Sequence, residues 1–314
     1  MNTPIHDTAV NPLQAHSNLL AAIVEQVGAS TLAVLGRRHS VASAVVWRPG
    51  LVVTAAHVFR RTPAAVSLVG NNGKTFAATL VGIDSSTDIA VFRLADEAAA
   101  GAPPAIAAGD ASAVKAGHFA IAVGRSGEGD PIASAGLVNR AGGPWQTWLG
   151  GHVDRLIRLD GGVYDGLSGA AVADAAGAVI GIATAALSRS YGIVVPSSTI
   201  DRVVTALIAH GHVARPWLGI GAQPVPLPAS AAAAEGQTGL LVTSLASGGP
   251  AEQAGVLVGD IVVGAGDGRA GNLHELRLAL AAHVAKAAKL SLLRGGVATE
   301  LAVQVGEWPG ARRC

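Results

Sequence analysis

Asp160-Gly161-Gly162-Val163-Tyr164-Asp165-Gly166-Leu167-Ser168-Gly169-Ala170-Ala171-Val172 sets a serine among glycines, ahead of a run of small apolar residues. Glycine tolerates positive φ and close approach to the main chain, so such a turn can present a hydroxyl beside exposed backbone N–H groups. Gly-Leu-Ser-Gly alone is equally an ordinary turn, because 41 of the 314 residues are glycine. Two further stretches carry the argument. Leu51-Val52-Val53-Thr54-Ala55-Ala56-His57-Val58 is an apolar run that ends in a histidine, by itself a packed or surface residue. Ser86-Thr87-Asp88-Ile89-Ala90-Val91-Phe92-Arg93-Leu94 opens an alternating strand with an aspartate. Alone, Asp88 is also explained as a turn residue, and Asp84 competes with it. Together His57, Asp88 and Ser168 stand in the order base, acid, nucleophile, with 31 and then 80 positions between them. That order is found in a serine-histidine-aspartate protease built on two β-barrels.

Thr-Ala-Ala-His, Thr-Asp-Ile-Ala-Val and Asp-Gly-Gly-Val-Tyr-Asp-Gly-Leu-Ser-Gly resemble the three signature blocks of trypsin-like serine proteases of the HtrA (Deg) branch. Ser134-Ala135-Gly136-Leu137-Val138, Ile180 to Ala185 and Tyr191 to Pro196 are similar to further strands of that family. The resemblance runs from about residue 15 to 306. It implies a mainly β fold: a chymotrypsin-like double six-stranded β-barrel protease domain over 12–212, followed by a single α+β PDZ domain over 216–306.

Composition agrees with folded domains. Half the residues are hydrophobic and 14% are charged, and 314 residues suggest two domains. Net charge is +1, with 22 basic and 21 acidic residues and no basic stripe, which argues against nucleic acid or an anionic membrane as partner. The single cysteine is Cys314, so no internal disulfide is possible. Residues 1–36 contain no Lys or Arg, and Leu19-Leu20-Ala21-Ala22-Ile23-Val24 is too short to span a bilayer. As given, the chain shows no export signal, which fits either a cytoplasmic protein or a mature exported form, whereas the family it resembles is mostly periplasmic or envelope-associated.

Along the chain, residues 1–11 are polar, and apolar positions from Leu13 to Val27 predict a helix. Short strands with frequent turns follow, as barrels require. Gly36 to Ser40 is a short connection where some family members carry a long regulatory loop. Ala95 to Val114 reads as the crossover between barrels, and Ser198 as the cap of a helix that ends at Gly211. Trp217-Leu218-Gly219-Ile220-Gly221, Gly239 to Val242, Ser247 to Val256 and Val258 to Val262 resemble PDZ blocks. Asn272 with Glu275 forms a variant capping box for a helix to about Val284, and Ala229 to Gly236 reads as an inserted loop.

The resemblance implies roles. His57 is the general base, Asp88 holds its tautomer, Ser168 is the nucleophile, and the N–H groups of Gly166 and Ser168 form the oxyanion hole. Counting back six residues from Ser168 to the pocket base gives Gly162, with Val163 adjacent; neither is acidic, which predicts an aliphatic residue before the scissile bond. Asp160 and Asp165 are the acids that a loop of different length would turn inward. Trp217, Leu218, Gly219 and Ile220 match the PDZ carboxylate loop, with Leu218 pointing into the pocket. Leu273, Leu276 and Leu280 divide between groove and core. His210-Gly211-His212 lacks a third ligand nearby in sequence, so no metal is expected, and the chemistry needs no cofactor.

The partners implied are unfolded protein substrates, apolar C-terminal peptides at the PDZ domain, and copies of the chain itself, trimers being common among relatives. Leu167, Ala170 and Ala171 depart from the family's Gly-Asn-Ser-Gly-Gly-Pro/Ala pattern. They keep open a second class of function, a silent protease fold acting as chaperone or PDZ scaffold.

Overall fold

Short strands with apolar side chains on both faces need cover on both sides; closure into a barrel buries the inner face, and packing against a second barrel covers part of the outer one. The computed structural model describes residues 11–35, 41–95, 103–227 and 237–308. The expected short loop at 36–40 and the alanine-rich loop at 229–236 lie outside them. Strands β1 (Thr31–Leu35), β2 (Val41–Arg48), β3 (Leu51–Ala55), β4 (Ala65–Val69), β5 (Thr75–Asp84) and β6 (Ile89–Leu94) close in the order β1-β2-β3-β6-β5-β4. A second barrel follows. It uses β7 (Phe119–Arg125) and β8 (Pro131–Gly142), then a separate hairpin of β9 (Trp145–Gln146) and β10 (His152–Val153) intervenes. β11 (Leu156–Leu159), β12 (Ala171–Ala173), β13 (Val179–Thr184) and β14 (Ile193–Pro196) complete it, in the order β11-β14-β13-β12-β7-β8. The hairpin is not anticipated from sequence, since two-residue strands are too short to show alternation.

Three apolar layers hold this unit. Leu32, Leu68, Phe76 and Phe92 fill the first barrel, and Ile157, Val172, Ile180 and Val194 fill the second. Between the barrels, Val45, Val53, Ile89 and Val91 belong to one cluster with Ile121, Val123, Ile182 and Val195. Helix α1 (Pro12–Gly28) starts at Asn11, whose side chain accepts from the Leu13 N–H (3.0 Å). At its other end the buried Arg125 donates to Gly28 O, Gly129 O and Thr31 O, tying helix, first barrel and second barrel together. Burial pulls the Arg125 pKa below its ordinary value, opposed by the Asp130 charge, and the carbonyl at the helix C-terminus is a favourable place for the cation.

Helix α2 (Ser197–His210) packs on β5, β6, β13 and β14 and so braces both barrels. It begins earlier than the sequence suggests: Pro196 is its N-cap, and Ser198 lies inside the first turn. Proline fixes the entry angle, and no side chain caps the first turn. The helix stops at Gly211, in the left-handed region at φ +74°.

A second compact unit begins at Ala214. Its sheet runs β16 (Ile220–Pro226), β17 (Thr238–Leu245), β18 (Ile261–Ala265), β20 (Ala287–Arg294), β21 (Val297–Gln304), with β19 (Gly268–Arg269) pairing β18. β15 (Pro216–Trp217) and β22 (Gly306–Glu307) form a separate pair. Helices α3 (Pro250–Gln253) and α4 (Leu273–Leu280) complete it. Asn272 caps α4 by accepting from the Glu275 N–H (2.9 Å), while the Glu275 carboxylate returns to the Gly271 N–H (2.9 Å). The helix ends at Leu280 and a single 3-10 turn, Ala281–His283, replaces its expected last residues. Leu218, Leu240, Val262, Leu276, Leu280 and Leu290 form the core.

Candidate active site

β3 runs out into a single helical turn, Ala56–Val58, that carries His57. The acid comes from the turn between β5 and β6. There the Asp84 carboxylate accepts from the Ser86 N–H (3.1 Å), the Ser86 hydroxyl (2.6 Å) and the Thr87 hydroxyl (2.7 Å). The competing aspartate is therefore spent on shaping the turn. Asp88 follows at φ +60°, a left-handed conformation that Asp tolerates better than most residues. Its carbonyl accepts from the Ala56 N–H (3.1 Å), so the two turns brace each other.

The carboxylate of Asp88 grips His57 twice. Oδ1 accepts from the His57 backbone N–H (2.7 Å) and Oδ2 lies 2.7 Å from Nδ1. A ring nitrogen facing a carboxylate carries the proton, which leaves Nε2 with a lone pair. Nε2 lies 3.1 Å from Ser168 Oγ. The Asp88 side chain is only 4% exposed and His57 is 32% exposed, so the acid is shielded while the base faces the solvent side.

Ser168 sits on a turn that the second barrel presents. The Leu167 N–H donates to Tyr164 O (3.0 Å), with Gly166 at φ +88° in the third position. That is the geometry of a type II turn, and it requires glycine there. At Gly169, also left-handed at φ +82°, a Cβ would overlap Ser43 O and Thr54 Oγ1.

The polar groups of this segment can be accounted for in order. Gly166 O accepts from Ser43 Oγ (2.6 Å), Leu167 O from the Ala170 N–H (3.0 Å) and Ser168 O from the Ser43 N–H (2.9 Å). The Gly169 N–H donates to Ala183 O (2.8 Å). Among the described residues, the N–H groups of Gly166 and Ser168 have no protein acceptor. Two unpaired donors on one short turn beside a hydroxyl suit an anionic oxygen.

The unusual residues around the serine are packed inward. Leu167 is 4% exposed, and Ala170 and Ala171 are fully buried. Leu167 and Ala170 join the interior cluster of the second barrel, so the extra methyl of Ala170 fills core rather than crowding the turn.

Two residues that sequence reasoning missed complete the arrangement. Thr184, at the end of β13, donates its hydroxyl to Asp88 Oδ2 and accepts from the Ala186 N–H (3.0 Å). Ser43, in β2, reaches the nucleophile turn from the first barrel. Each is a lone hydroxyl in an apolar strand, and that is the only signal they leave in the sequence.

A cavity of about 270 Å³ adjoins the turn, bordered by Gly162, Val163, Leu167, Ala122 and Ala183, with Asp160 among its polar neighbours. A Cβ at Gly162 would meet nothing within 4 Å, so glycine there keeps space open. Asp160 Oδ1 accepts from the Leu137 N–H (3.0 Å), and Asp165 does not border the cavity.

In the second unit, Trp217 pairs with Gly306, and the Leu218 side chain is 4% exposed within the core. Gly219 is left-handed at φ +75°, and Ile220 opens β16, whose pairing with β17 leaves it the edge of the sheet. Helix α4 packs near β16; Leu276 and Leu280 point into the core, while Leu273 is 38% exposed.

Two closed barrels with a serine, a histidine and an aspartate in one hydrogen-bonded chain define the trypsin-like class. A trypsin-like peptidase domain profile matches residues 42–182, and a PDZ domain profile matches residues 216–305. The "probable periplasmic serine endoprotease DegP-like" of Brucella suis biovar 1 (strain 1330) is 36% identical over 230 residues, covering 69% of this chain and 42% of that protein. The protein of the same description from Chlamydia trachomatis serovar D is 30% identical over 272 residues, covering 84% of this chain and 53% of that one. The chain thus spans about half the length of the curated relatives it matches. The solved structure of the HtrA-type protease AlgW with a tripeptide is 25% identical with a TM-score of 0.77, covering 94% of this chain and 99% of that chain. The chain belongs to the HtrA family of trypsin-like serine proteases that carry a PDZ domain.

Proposed function

We propose that this chain is a serine endopeptidase that cleaves internal bonds of unfolded or misfolded proteins, with its PDZ unit capturing C-terminal peptides. The observation that carries this reading is the continuous chain Asp88–His57–Ser168 beside two unpaired N–H groups. His57 Nε2 takes the proton of Ser168 Oγ as the oxygen attacks the scissile carbonyl. Asp88 keeps Nδ1 protonated and stabilises the imidazolium. The tetrahedral oxygen takes the Gly166 and Ser168 N–H groups, each such donor being worth roughly 3–4 kcal/mol in comparable enzymes. His57 then protonates the leaving amine, and water repeats the sequence on the acyl-enzyme. No step calls for a cofactor.

The residue before the scissile bond would enter the cavity at Gly162 and Val163. The small and apolar side chains of Ala122, Val163, Leu167 and Ala183 and the open space at Gly162 favour small or medium aliphatic side chains, while one oxygen of the Asp160 carboxylate on the cavity border accepts from the Leu137 N–H. In the PDZ unit, Trp217, Leu218, Gly219 and Ile220 would supply the carboxylate loop, the peptide adding as a strand to the edge of β16. Capture of a peptide agrees with the AlgW structures, which hold a tripeptide or a decapeptide. Leu273 is the α4 leucine left to face that groove.

The silent-scaffold reading drew its support from Ala170 and Ala171, and both are buried in barrel core. Relatives named periplasmic favour the cell envelope over the cytoplasm, which subcellular fractionation tests. A trimer follows from the family resemblance, and light scattering tests it. The enzymatic reading is tested with casein as substrate. Wild type should degrade it and Ser168→Ala, equally folded by circular dichroism, should not; digestion at an undiminished rate by Ser168→Ala would overturn the reading.

A further inference from the structure

Ser43 is fully buried and belongs to β2 of the first barrel, yet it meets the nucleophile turn of the second at three points. Its hydroxyl donates to Gly166 O (2.6 Å) and accepts from the Arg125 N–H (3.1 Å). Its backbone N–H donates to Ser168 O (2.9 Å), and its carbonyl lies where a Cβ on Gly169 would stand. The same carbonyl accepts from the Thr54 hydroxyl (2.7 Å), which leads along β3 toward His57.

The bonds fall in a telling pattern. Gly166 O, which the Ser43 hydroxyl holds, belongs to the Gly166–Leu167 peptide, and that peptide lies between the two that carry the unpaired Gly166 and Ser168 N–H groups; Ser168 O, held by the Ser43 backbone N–H, belongs to the peptide that follows them. Holding Gly166 O toward the first barrel fixes the plane of that middle peptide, so the two donor-bearing peptides that flank it can turn only about the backbone torsions of Gly166 and Leu167. Donors of this kind accelerate a reaction because they are already aimed and need no reorganisation when charge develops.

We propose that Ser43 is a positioning residue, whose side chain orients the Gly166–Ser168 turn so that its two N–H groups converge on the oxyanion. The proposal depends on the endopeptidase reading above. Ser43 touches no reacting atom, so its removal acts on the transition state rather than on substrate binding. Removing an oxyanion donor outright costs about 10²–10³ in kcat in a comparable enzyme, so loosening two donors without deleting them predicts a fall of roughly 10–100-fold.

The test compares wild type, Ser43→Ala and Ser168→Ala, with Ser197→Ala as a buried-hydroxyl control that does not touch the turn, its hydroxyl bonded to Gly109 O (2.9 Å). Rates on an unfolded-protein-derived peptide are normalised to active sites counted by burst titration. Ser43→Ala should lose roughly 10–100-fold in kcat per titrated site. KM and the acidic limb of the pH–rate profile should stay unchanged, because the His57–Asp88 contact is untouched. Affinity for a peptide boronate should fall by the same factor as kcat, and Ser197→Ala should show no such loss. A purely structural role would instead lower the number of titrated sites at constant kcat, and that outcome overturns the proposal.

If Ser43→Ala does not fold, Ser43→Cys decides, since its thiol is a donor of similar size but weaker. An intermediate kcat per site supports the positioning role and a wild-type kcat overturns it. Failure of wild type itself to give a burst would overturn the endopeptidase reading instead.

Discussion

Thr184→Val removes one hydroxyl while keeping the shape of a fully buried side chain. Three donors converge on Asp88 at present: the His57 backbone N–H, the His57 ring and the Thr184 hydroxyl. A hydrogen bond to a charged group contributes about 1.5–3 kcal/mol. The Ala186 N–H also loses its acceptor, but Ala186 is partly exposed, so water replaces most of that bond. The variant should therefore lose about 2–3 kcal/mol of stability, read as a lower urea midpoint at unchanged slope. Catalysis should suffer less in proportion. Asp88 keeps both grips on His57, so the tautomer survives, and kcat/KM should fall about tenfold, far short of the roughly 10⁴ seen when a triad acid is neutralised in a related enzyme. Thr184→Ser should restore most of both. A Val variant with wild-type urea midpoint and wild-type kcat/KM would refute the claim that Thr184 supports the acid.

Cleavage sites mapped by mass spectrometry in an unfolded protein should fall mostly after Val, Ala, Ile or Leu, and a majority after Lys or Arg would show that Asp160 governs the pocket. Calorimetry with the full chain carrying Ser168→Ala should give micromolar-range binding of peptides with an apolar free C-terminus. Amidation should weaken it roughly tenfold or more, and equal affinity for acid and amide would refute capture by residues 217–220. Asp154 offers a pH test. Burial alone would raise its pKa, but hydrogen bonds with His152 and Thr199 and the charges of Arg202 and His152 bring it down to about 2 from 3.8. A depressed carboxyl stabilises the fold fully above the unfolded value and loses that contribution as pH falls through the folded one. Asp154→Asn should thus cost about 2 kcal/mol near pH 6 and converge with wild type toward pH 2; an offset that stays constant down to pH 2 would contradict this.

The blocks around His57, Asp88 and Ser168 were readable because each couples a special residue to a strand of recognisable period. The barrels were readable for the same reason, and so was the Asn272 cap. Asp84 and Asp88 could not be separated by pattern, since they flank the same turn, Asp84 closing β5 and Asp88 leading into β6; only the Ser86 and Thr87 bonds show which one shapes the turn. Ser43 and Thr184 escaped because a hydroxyl in a buried strand looks the same whether it meets a neighbouring strand or the other barrel. Ala170 was ambiguous because it directly precedes β12, which is buried on both faces, so alternation cannot say where its methyl points. The leucines of α4 share a helical stripe, and the packing alone divides Leu276 and Leu280 from Leu273.

An activated serine is the central claim, and a fluorophosphonate probe reports it without any assumption about substrate. Wild-type protein should gain the mass of one adduct, mapped by peptide analysis to Ser168, and His57→Ala should react far more slowly because Nε2 no longer takes the proton. Ser168→Ala should gain nothing. An unlabelled wild type, or an adduct that persists in Ser168→Ala, would contradict the account.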